Sequence, residues 1–535
     1  MVPPPKGEPI MSEQAPPNEQ SLKQPRELMM LFFAEMWERF SFYGMRALLT
    51  LYLTLELFKD LANGEAKAIG IYAAYGALVY TTPFLGGVIA DRWLGFKRSV
   101  MLGAFLMMVG HFAMAIENEL FLYIALSFLI IGNGFFKPNI SNMVGGLYRE
   151  NDPRRDGGFT IFYMGINLGA MLAPLVCGYI GETYGWFYGF TIAGVGMGLG
   201  MLVFGRGQDR LGENGDPPSA EALSKKTAGL SLEWWIYILS ILGVGLVGLL
   251  VWKYEWTAYV LTPFVVLVMG YILVEAFRSE KVIRERLFVI LVLLVFTTLF
   301  WAFFEQAGSS MTLFTQRNVD RGPVQASLFQ AVNPFFIILL APLFSKLWIK
   351  LGTMGKDPNP PLKFALGILQ LGVGFLILNW SLNFASVGQV TGSEGEVSQA
   401  VVVPLAFLLI GYLLHTTGEL CLSPVGLSMV TKLAPKKIGG MIMGAWFLSS
   451  ALAHTAGGLI AQMTSVPEGD NPGQIAIESG LISEVGDLSA ELLTSYDQLA
   501  TYGSVFGQLG WIALGASLLL LVLSPLLTRW MHGVK

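Results

Sequence analysis

The sequence predicts an all-α membrane protein with fourteen transmembrane helices, and three observations support this fold class. Hydrophobic residues make up 53% of the 535 residues and charged residues only 13%, whereas a soluble globular chain carries about 25% charged residues. The apolar residues fall in long runs, and a helix needs about 20 such residues to cross the hydrocarbon core. Lys and Arg also alternate between successive connections, as they do in multi-pass membrane proteins.

Fourteen apolar runs are long enough to form these helices. They cover residues 28–55, 68–90, 99–116, 120–147, 157–181, 187–205, 233–252, 256–277, 287–315, 325–349, 362–382, 400–430, 439–463 and 503–528. Residues 1–26 are rich in Pro, Glu and Gln and contain no apolar run. They are expected to form a disordered cytoplasmic tail and not a signal peptide. The acidic stretch 464–502 contains no Lys or Arg and is expected to be a solvated extracytoplasmic loop.

The positive charges predict the orientation of the chain. With the N-terminus inside, the inner connections and the tails hold 26 of the 34 Lys and Arg residues, and the outer connections hold five. An incorrect helix count would scramble this positive-inside pattern, so both termini are expected to be cytoplasmic. The remaining basic residues lie inside predicted helices and are Arg39, Arg46 and Lys137.

The first predicted helix carries its charges on one face. At about 100° per residue, this face collects Glu35, Glu38, Arg39 and Arg46. A charge at the bilayer centre costs about 3 kcal/mol on insertion scales, so such residues need partners or a use. A salt-bridge cluster that only fixes helix packing is the alternative, but buried ion pairs stabilise poorly compared with apolar packing. The retained charges therefore favour a functional role.

The other intramembrane charges lie in three further segments, two of which are polar and contain Gly and Pro. Lys137 lies in Gly-Asn-Gly-Phe-Phe-Lys137-Pro138, Glu305 follows Trp-Ala-Phe-Phe, and Glu419 lies in Gly-Glu419-Leu-Cys-Leu-Ser-Pro424. Interrupted helices at membrane depth are where polytopic membrane proteins place ligand and ion sites. With the two acids of the first helix, four acids face three bases at this depth, which is close to the balance that paired charges require.

These segments resemble the motifs of the proton-dependent oligopeptide transporter family of the major facilitator superfamily. Glu35-Met-Trp-Glu38-Arg39-Phe-Ser-Phe-Tyr43-Gly is similar to the family motif ExxERFxYYG, with Phe42 in place of the first Tyr. The other matching blocks are Gly87-Val-Ile-Ala-Asp91-Arg92 followed by Lys97-Arg98, Phe135-Phe-Lys137-Pro138-Asn139, Phe162-Tyr163-Met-Gly-Ile-Asn167-Leu-Gly169, Phe304-Glu305-Gln306 and Gly418-Glu419-Leu-Cys-Leu-Ser423-Pro424. Six blocks in the correct order along nearly the whole chain make the resemblance specific.

The resemblance implies the major facilitator fold, which has two six-helix bundles, with two extra helices inserted between them. The implied domains are the tail 1–26, an N-terminal bundle 27–206, a cytoplasmic linker 207–232, a peripheral hairpin 233–280 and a C-terminal bundle 281–531 that includes the loop 464–502. The implied location is the bacterial inner membrane. We expect a monomer that contacts lipid and no nucleic acid.

The implied function is symport of protons with di- and tripeptides into the cell by alternating access. Protons are the coupling ion, and no other cofactor, metal or enzymatic activity is implied. A carrier of nitrate or of a peptide-like metabolite is the alternative, and the intact ExxER motif with Arg46 and Glu419 favours a zwitterion. An intramembrane enzyme is not supported, because the sequence contains no HExxH motif and no Ser–His–Asp arrangement at membrane depth. Charges already paired in the two bundles argue against a channel.

The implied substrate site holds the two ends of a peptide zwitterion with opposite charges. Arg46 and Lys137 would bind the carboxylate, and Glu419 would bind the amine. Hydrogen bonds and apolar walls would come from Tyr43, Tyr75, Tyr163, Asn167, Trp301, Asn333, Ser423 and Trp446.

The implied proton-coupling residues are Glu35, Glu38, Arg39 and Glu305. Unprotonated Glu305 would pair with Arg46 and hold the outer side shut, and Lys137 with Glu419 would close the inner side. Asp60 and Arg317 fall roughly where the family has an outer-gate pair, with the acid and the base exchanged.

The remaining candidate residues are expected to be structural. His111, His415 and His454 lie in apolar helices, where a hydrogen-bonded core histidine is commoner than a proton relay. Cys177 and Cys421 also lie in apolar runs, which argues against a disulfide and against a zinc site.

Overall fold

Helices dominate the computed structural model, which describes residues 23–149, 152, 154–391, 397–435, 438–466 and 471–534. Fourteen of the described helices have 19 residues or more, and each lies at one of the fourteen predicted runs. They are α1 (Arg26–Tyr52), α2 (Gly64–Ile89), α3 (Phe96–Met114), α4 (Glu119–Gly146), α5 (Arg155–Ala173), α6 (Trp186–Gly207), α7 (Leu232–Trp252), α8 (Tyr254–Arg278), α9 (Lys281–Phe304), α10 (Val332–Thr353), α11 (Pro360–Trp380), α12 (Leu405–Leu433), α13 (Gly439–Gln462) and α14 (Ala490–Trp530). Most of the predicted tail 1–26 lies outside the described residues.

Eleven helical stretches of the described chain are long and apolar enough to cross a membrane. The other three long helices are α1, α3 and α13. For α1 the reason is its charge, because Glu35, Glu38, Arg39 and Arg46 all lie within it. The helix that the sequence singles out for function is therefore one that apolar composition alone does not select.

The helices pack as two halves, α1–α6 and α9–α14. In the first half α1 packs on α5 and α6, and α3 packs on α4; in the second, α14 and α12 pack on α11, and α9 packs on α13. The most extensive contact between the halves joins α2 to α13. Gly458 permits this approach, because a Cβ there would lie 2.2 Å from the Cβ of Ala73.

The helices α7 and α8 lie at the edge of the molecule. Only 17% of the most apolar stretch of α7 is buried, and only 22% of that of α8. α7 packs on α4, whereas α8 packs on α9, α13 and α2. The ring of Tyr254 at the start of α8 fills the space that Gly70 of α2 leaves open. The inserted helices are thus mostly exposed, and α8 contacts both halves.

A small sheet corrects the predicted start of the helix over 400–430. Its strands are β3 (Val319–Asp320), β4 (Ser386–Thr391) and β5 (Val397–Pro404), and another hairpin joins β1 (Lys226–Thr227) to β2 (Leu230–Ser231). β4 and β5 are antiparallel with Ser386 opposite Val402, and β3 pairs with β5 in parallel. The helix begins only at Leu405, because the run of valines in 397–403 favours a strand.

The last helix begins earlier than predicted. α14 starts at Ala490, where the Ser489 hydroxyl accepts a hydrogen bond from the amide of Leu492. Asp497, inside its first turns, accepts hydrogen bonds from the amides of Gly473 (2.6 Å) and Ala476 (2.8 Å). The predicted loop 464–502 therefore ends at residue 489, and a buried carboxylate ties it to the helix.

The predicted apolar run 287–315, the first after the inserted pair, is interrupted at Glu305. α9 ends at Phe304, a 3₁₀ turn covers Glu305–Gly308, and a helix resumes over Ser310–Asn318. The Gln306 amide donates hydrogen bonds to the carbonyls of Ala302 (3.0 Å) and Gly457 (2.9 Å), so the break leaves these carbonyls satisfied. In contrast, α4 and α12 run through Pro138 and Pro424 without interruption, although those segments were the ones expected to be broken.

Contacts along the packed helices show that α1 and α6, α3 and α4, and α2 and α13 run in opposite directions, which gives the molecule two ends. We call the end where α1 begins and α14 finishes the terminal end. The opposite end, where α1 finishes and α2 begins, is the distal end.

Candidate functional site

A cavity of about 320 Å³ lies between the two halves. This volume falls within the range of about 300–1,000 Å³ that is typical of small-molecule sites. Nine of the eleven predicted substrate-site residues line it, namely Tyr43, Arg46, Lys137, Tyr163, Asn167, Trp301, Asn333, Glu419 and Ser423. The structure thus brings together residues from α1, α4, α5, α9, α10 and α12.

Two predicted residues do not line this cavity. Tyr75 is buried with its ring stacked on Phe42, and its hydroxyl has no hydrogen-bond partner among the described residues. Trp446 packs its ring against Gly426 inside the second half. Sequence reasoning also missed cavity residues, namely Tyr80, Gln330 and Tyr412. An uncharged Tyr or Gln in an apolar helix does not carry the insertion cost of a charged residue, so nothing in the sequence marked these three.

Charges of both signs line the cavity in equal number. Among the lining residues, Arg46 and Lys137 come from the first half and Glu305 and Glu419 from the second. All four side chains are largely removed from solvent, so their interactions are screened less than those of exposed pairs. The cavity is therefore neutral as a whole and strongly polarised from one half to the other.

Arg46 and Glu305 form an ion pair across the two halves. The Arg46 Nη2 atom contacts Glu305 Oε2, and Arg46 Nε donates a 2.7 Å hydrogen bond to the Tyr72 hydroxyl. Gly308, at the end of the break in α9, makes room for this arrangement, because a Cβ at this position would lie 1.8 Å from the Tyr72 hydroxyl. The predicted pair of Arg46 with Glu305 is present, and Tyr72 is a partner that the sequence analysis missed.

Glu419 and Lys137 are not paired with each other in this structure. The Asn333 amide donates a 3.0 Å hydrogen bond to Glu419 Oε2 and another of 3.0 Å to the Thr416 hydroxyl. The ammonium of Lys137 lies 4.4 Å from the centre of the Tyr80 ring, and no carboxylate of the described chain is within ion-pair distance of it. Both residues therefore face the cavity with capacity left for a ligand.

The predicted cluster in the middle of α1 is compact. Arg39 Nε lies 3.2 Å from Glu35 Oε1, and Arg39 Nη2 donates a 2.7 Å hydrogen bond to Glu38 Oε1. The Asn133 amide of α4 donates to Glu38 at 3.4 Å. Glu35 Oε2 is buried without a hydrogen-bond partner among the described residues. A buried acceptor without a donor is costly, so this oxygen has capacity for a further hydrogen bond.

The acid that pairs with Arg317 is Glu65 and not Asp60. Arg317 Nη1 donates to Glu65 Oε2 at 2.7 Å and lies 3.3 Å from the Tyr502 hydroxyl. Asp60 is exposed in the turn that joins α1 to α2, whereas Glu65 is in the first turn of α2 and points towards the second half. The predicted pairing of Arg317 with Asp60 is therefore absent, and Glu65 takes the place of that acid.

Hydrogen bonds join the two halves at the cavity and at the distal end. Six of them involve described residues, and the two nearest the cavity are Arg46 to Glu305 and Thr50 to the carbonyl of Gly308. The other four are Arg317 to Glu65, Gln325 to Thr183, the Ser327 amide to Glu182 and Gln462 to the Ala66 carbonyl. The distal end is therefore the closed one.

A larger groove of about 1200 Å³ lies outside this site, between α3, α6 and α7. Its basic residues already have acidic partners, since Lys97 pairs with Asp216 at 2.8 Å and Arg98 with Glu233 at 3.1 Å. The smaller cavity, with charges that remain open to a ligand, is the better candidate for function.

A helical protein of this kind, with buried opposite charges facing one cavity between two packed halves, is a membrane transporter. The sequence profile of the POT family matches residues 97–477. The peptide transporter YePEPT of Yersinia enterocolitica is 38% identical over 469 residues, covering 82% of this chain and 87% of that protein. The dipeptide and tripeptide permease B of Salmonella typhimurium is 30% identical, covering 96% of this chain and 97% of that protein. The chain belongs to the POT family.

Solved structures agree with this assignment. A variant of the peptide transporter POT in complex with alafosfalin has a TM-score of 0.76 at 34% identity, covering 95% of this chain and 96% of that chain. A POT family transporter in complex with 5-aminolevulinic acid has a TM-score of 0.74 at 30% identity, covering 94% and 97%. The chain is accordingly a multi-pass transporter of a peptide-transporting family and not an enzyme.

Proposed function

We propose that this protein imports di- and tripeptides together with protons by alternating access. The observation that carries the proposal is the cavity with two cations from one half and two anions from the other. A peptide has an amine at one end and a carboxylate at the other, whatever its side chains are. A carrier of many peptides needs contacts to those two ends and space between them, and the cavity offers both.

The proposed substrate contacts follow from which charges are open. Lys137 and Glu419 lack an ion-pair partner among the described residues, so they are available to the carboxylate and the amine, respectively. Arg46 also becomes available to the carboxylate, beside Lys137, once Glu305 releases it. Tyr43, Tyr163, Asn167 and Ser423 supply hydrogen-bonding groups along the wall. The relatives named for di- and tripeptides, and the solved complex with an amine- and carboxylate-bearing acid, support a zwitterionic substrate.

The proposed coupling uses the Arg46–Glu305 pair as a switch. Arg46 can bind either Glu305 or the peptide carboxylate, and neutralising Glu305 with a proton favours the peptide. Such a pair has two states whose populations depend on both ligands, which is what coupling requires. The α1 cluster of Glu35, Glu38 and Arg39 is the second proposed proton-binding region. Any of the three acids remains a candidate carrier of the coupled proton.

The proposed topology has all fourteen long helices crossing the membrane, in the major facilitator arrangement of twelve helices plus two. The distal end faces outward and both termini face the cytoplasm, because the terminal-end connections carry most of the Lys and Arg residues. The bundles cover 27–206 and 281–531, the linker covers 207–232, and the inserted helices lie within 233–280. The membrane is the bacterial inner membrane.

On this topology, the closed distal end means that the cavity is shut from outside. The pair of Glu65 and Arg317 is then part of the outer closure. Arg317→Met should loosen this closure, because a hydrogen bond to a charged group contributes about 1.5–3 kcal/mol. We expect Ser327→Cys, placed in the closed distal contact, to react about tenfold faster with an impermeant maleimide when Arg317→Met is also present.

This labelling would be done with Cys177→Ala and Cys421→Ala, so that Ser327→Cys provides the reactive thiol. Lys67→Met is the matched control, because it removes the 2.7 Å ion pair to Glu119 within the first half and leaves the contact between halves intact. Equal labelling rates in the Arg317 variant and the control would show that this pair does not hold the outer side closed.

Uptake of labelled di-alanine into proteoliposomes tests the proposed function directly. We expect accumulation when the outer pH is lower than the inner pH, and equilibration without accumulation when the two are equal. Unlabelled dipeptides and tripeptides should compete, and nitrate should not. Absence of gradient-dependent uptake together with absence of competition would overturn the proposal. Competition by nitrate or by a single amine-bearing acid alone would instead favour the alternative substrate classes.

A further inference from the structure

His454 lies at the contact between the two halves, beside the carboxylate of Glu305. Its side chain is on α13 and is 6% exposed. The Nε2 atom is 3.7 Å from Glu305 Oε1. The ring stacks on Tyr80 of α2, with the centres 5.0 Å apart and the planes 28° from parallel. His454 therefore contacts the coupling carboxylate and the opposite half at once.

The backbone of α2 is shaped to admit this imidazole. A Cβ on Gly76 would lie 2.5 Å from His454 Nδ1, so a side chain at that position would displace the ring. The other two buried histidines have different surroundings. His415 packs against Phe375 with a centre distance of 4.5 Å, and no carboxylate of the described residues lies within ion-pair distance of His415 or His111. Only His454 among these three meets an acid.

The two oxygens of Glu305 face different partners. Oε2 contacts Arg46, and Oε1 faces His454. We infer that His454 is a second proton-binding group of the coupling site, whose imidazolium form takes the place of Arg46 as the counter-ion of Glu305. The inference deepens the proposed function and rests on it. The arginine freed in this way binds the peptide carboxylate.

The proton and charge balance of this exchange closes. A proton from the outer solution adds to Nε2 of the neutral imidazole, and the new N–H donates to Glu305 Oε1. The group of Arg46, Glu305 and His454 then carries one additional positive charge, which the peptide carboxylate at Arg46 neutralises. When peptide leaves to the cytoplasm, Arg46 returns to Glu305 and the imidazolium releases its proton there. One proton and one peptide have crossed.

The charged and titratable groups around His454 determine when this happens. Burial of the ring opposes a positive charge on it, Glu305 of α9 favours one, and Arg46 of α1 and Lys137 of α4 oppose one. Tyr80 of α2 lies between the ring and Lys137. Tyr254 and Glu255 of α8 line a separate recess with the adjacent Thr455. Proton uptake is therefore favoured when Arg46 moves away, which ties it to carboxylate binding.

The transport test compares His454→Gln with His111→Gln, a buried histidine far from the coupling carboxylate. We expect His454→Gln to keep di-alanine counterflow but to lose the pH dependence of exchange between about pH 8 and pH 5, the range in which histidine titrates. His111→Gln should keep the wild-type pH profile. A histidine that only fills space would change rates without changing the profile, so an unaltered pH profile in His454→Gln would overturn the inference.

A second measurement needs no peptide. The chain has four histidines, so ¹⁵N-histidine labelling gives few signals, and the one lost in His454→Gln identifies this residue. We expect its signal to show protonation as the pH is lowered from about 8 to about 4 in the wild type, since the buried ring and the nearby Arg46 hold protonation off to lower pH than in a free histidine, and to remain neutral over this range in Glu305→Gln. A signal that stays neutral in the wild type would reject His454 as a proton-binding group. Absence of peptide uptake would reject the proposed function and leave this titration readable.

Discussion

Glu305→Gln should abolish proton-driven accumulation of di-alanine and leave counterflow intact. A glutamine keeps the shape of the side chain but can neither hold the charge that binds Arg46 nor take up a proton. One pH unit across the membrane is worth about 1.4 kcal/mol per proton, or about tenfold accumulation. The variant should therefore lose that tenfold accumulation and equilibrate di-alanine at the same level with and without the gradient.

Counterflow is the internal control for folding in this experiment, since it requires an intact cavity and moving halves. Glu119→Gln is the matched substitution, because Glu119 pairs with Lys67 at 2.7 Å outside the cavity and should retain driven uptake. If Glu305→Gln still accumulates di-alanine with the gradient, the coupled proton is carried by Glu35 or Glu38, or by His454 without help from Glu305.

Arg46→Lys should abolish both uptake and counterflow. The guanidinium contacts Tyr72 through Nε and Glu305 through Nη2, and a lysine cannot reproduce this planar fork. Breaking a buried, hydrogen-bonded charge pair costs about 2–5 kcal/mol, which corresponds to a loss of at least about 30-fold in affinity. Binding of di-alanine to the purified protein should weaken by that factor.

The specificity of the loss distinguishes a binding role from a structural one. Wild-type protein should bind di-alanine far better than its C-terminal amide, and Arg46→Lys should reduce this discrimination. Arg154→Lys serves as the control, because its partly exposed pair with Asp152 contributes about 0–1 kcal/mol. The Arg154 guanidinium holds the pKa of Asp152 at about 2, so this pair stays charged throughout the assay. Preserved affinity and discrimination in Arg46→Lys would remove Arg46 from the carboxylate site.

The features that the sequence predicted well are those that depend on local geometry. The shared face of Glu35, Glu38 and Arg39 follows from the helical repeat alone, and the structure places their atoms in contact. The fourteen helical segments follow in the same way from runs of apolar residues. The pairing of Arg46 with Glu305, which are 259 residues apart, came from family resemblance and not from any local signal.

The features that were missed depend on packing between distant segments. The missed contacts are made by Tyr72, Tyr80 and His454, which all lie in apolar helices. In the sequence alone, burial in the core is enough to explain each of these residues, because their neighbours are not known. Asp60 was predicted where Glu65 lies, because the turn between α1 and α2 shifts the register by a few residues. The valines before Leu405 have no charge or proline among them, so an apolar strand and the start of a membrane helix look alike in sequence.

The closure of the distal end also creates a surface that belongs to neither half alone. Thr183 of the first half and Gln325 of the second are joined by a 3.0 Å hydrogen bond at an exposed position, next to the contact of Glu182 with the Ser327 amide. This composite patch exists only while the halves are together. On the proposed topology, an antibody fragment that recognises both sides of it would hold the carrier in one state from outside the cell. Because it would bind away from the cavity, it would not compete directly with peptide for the same site.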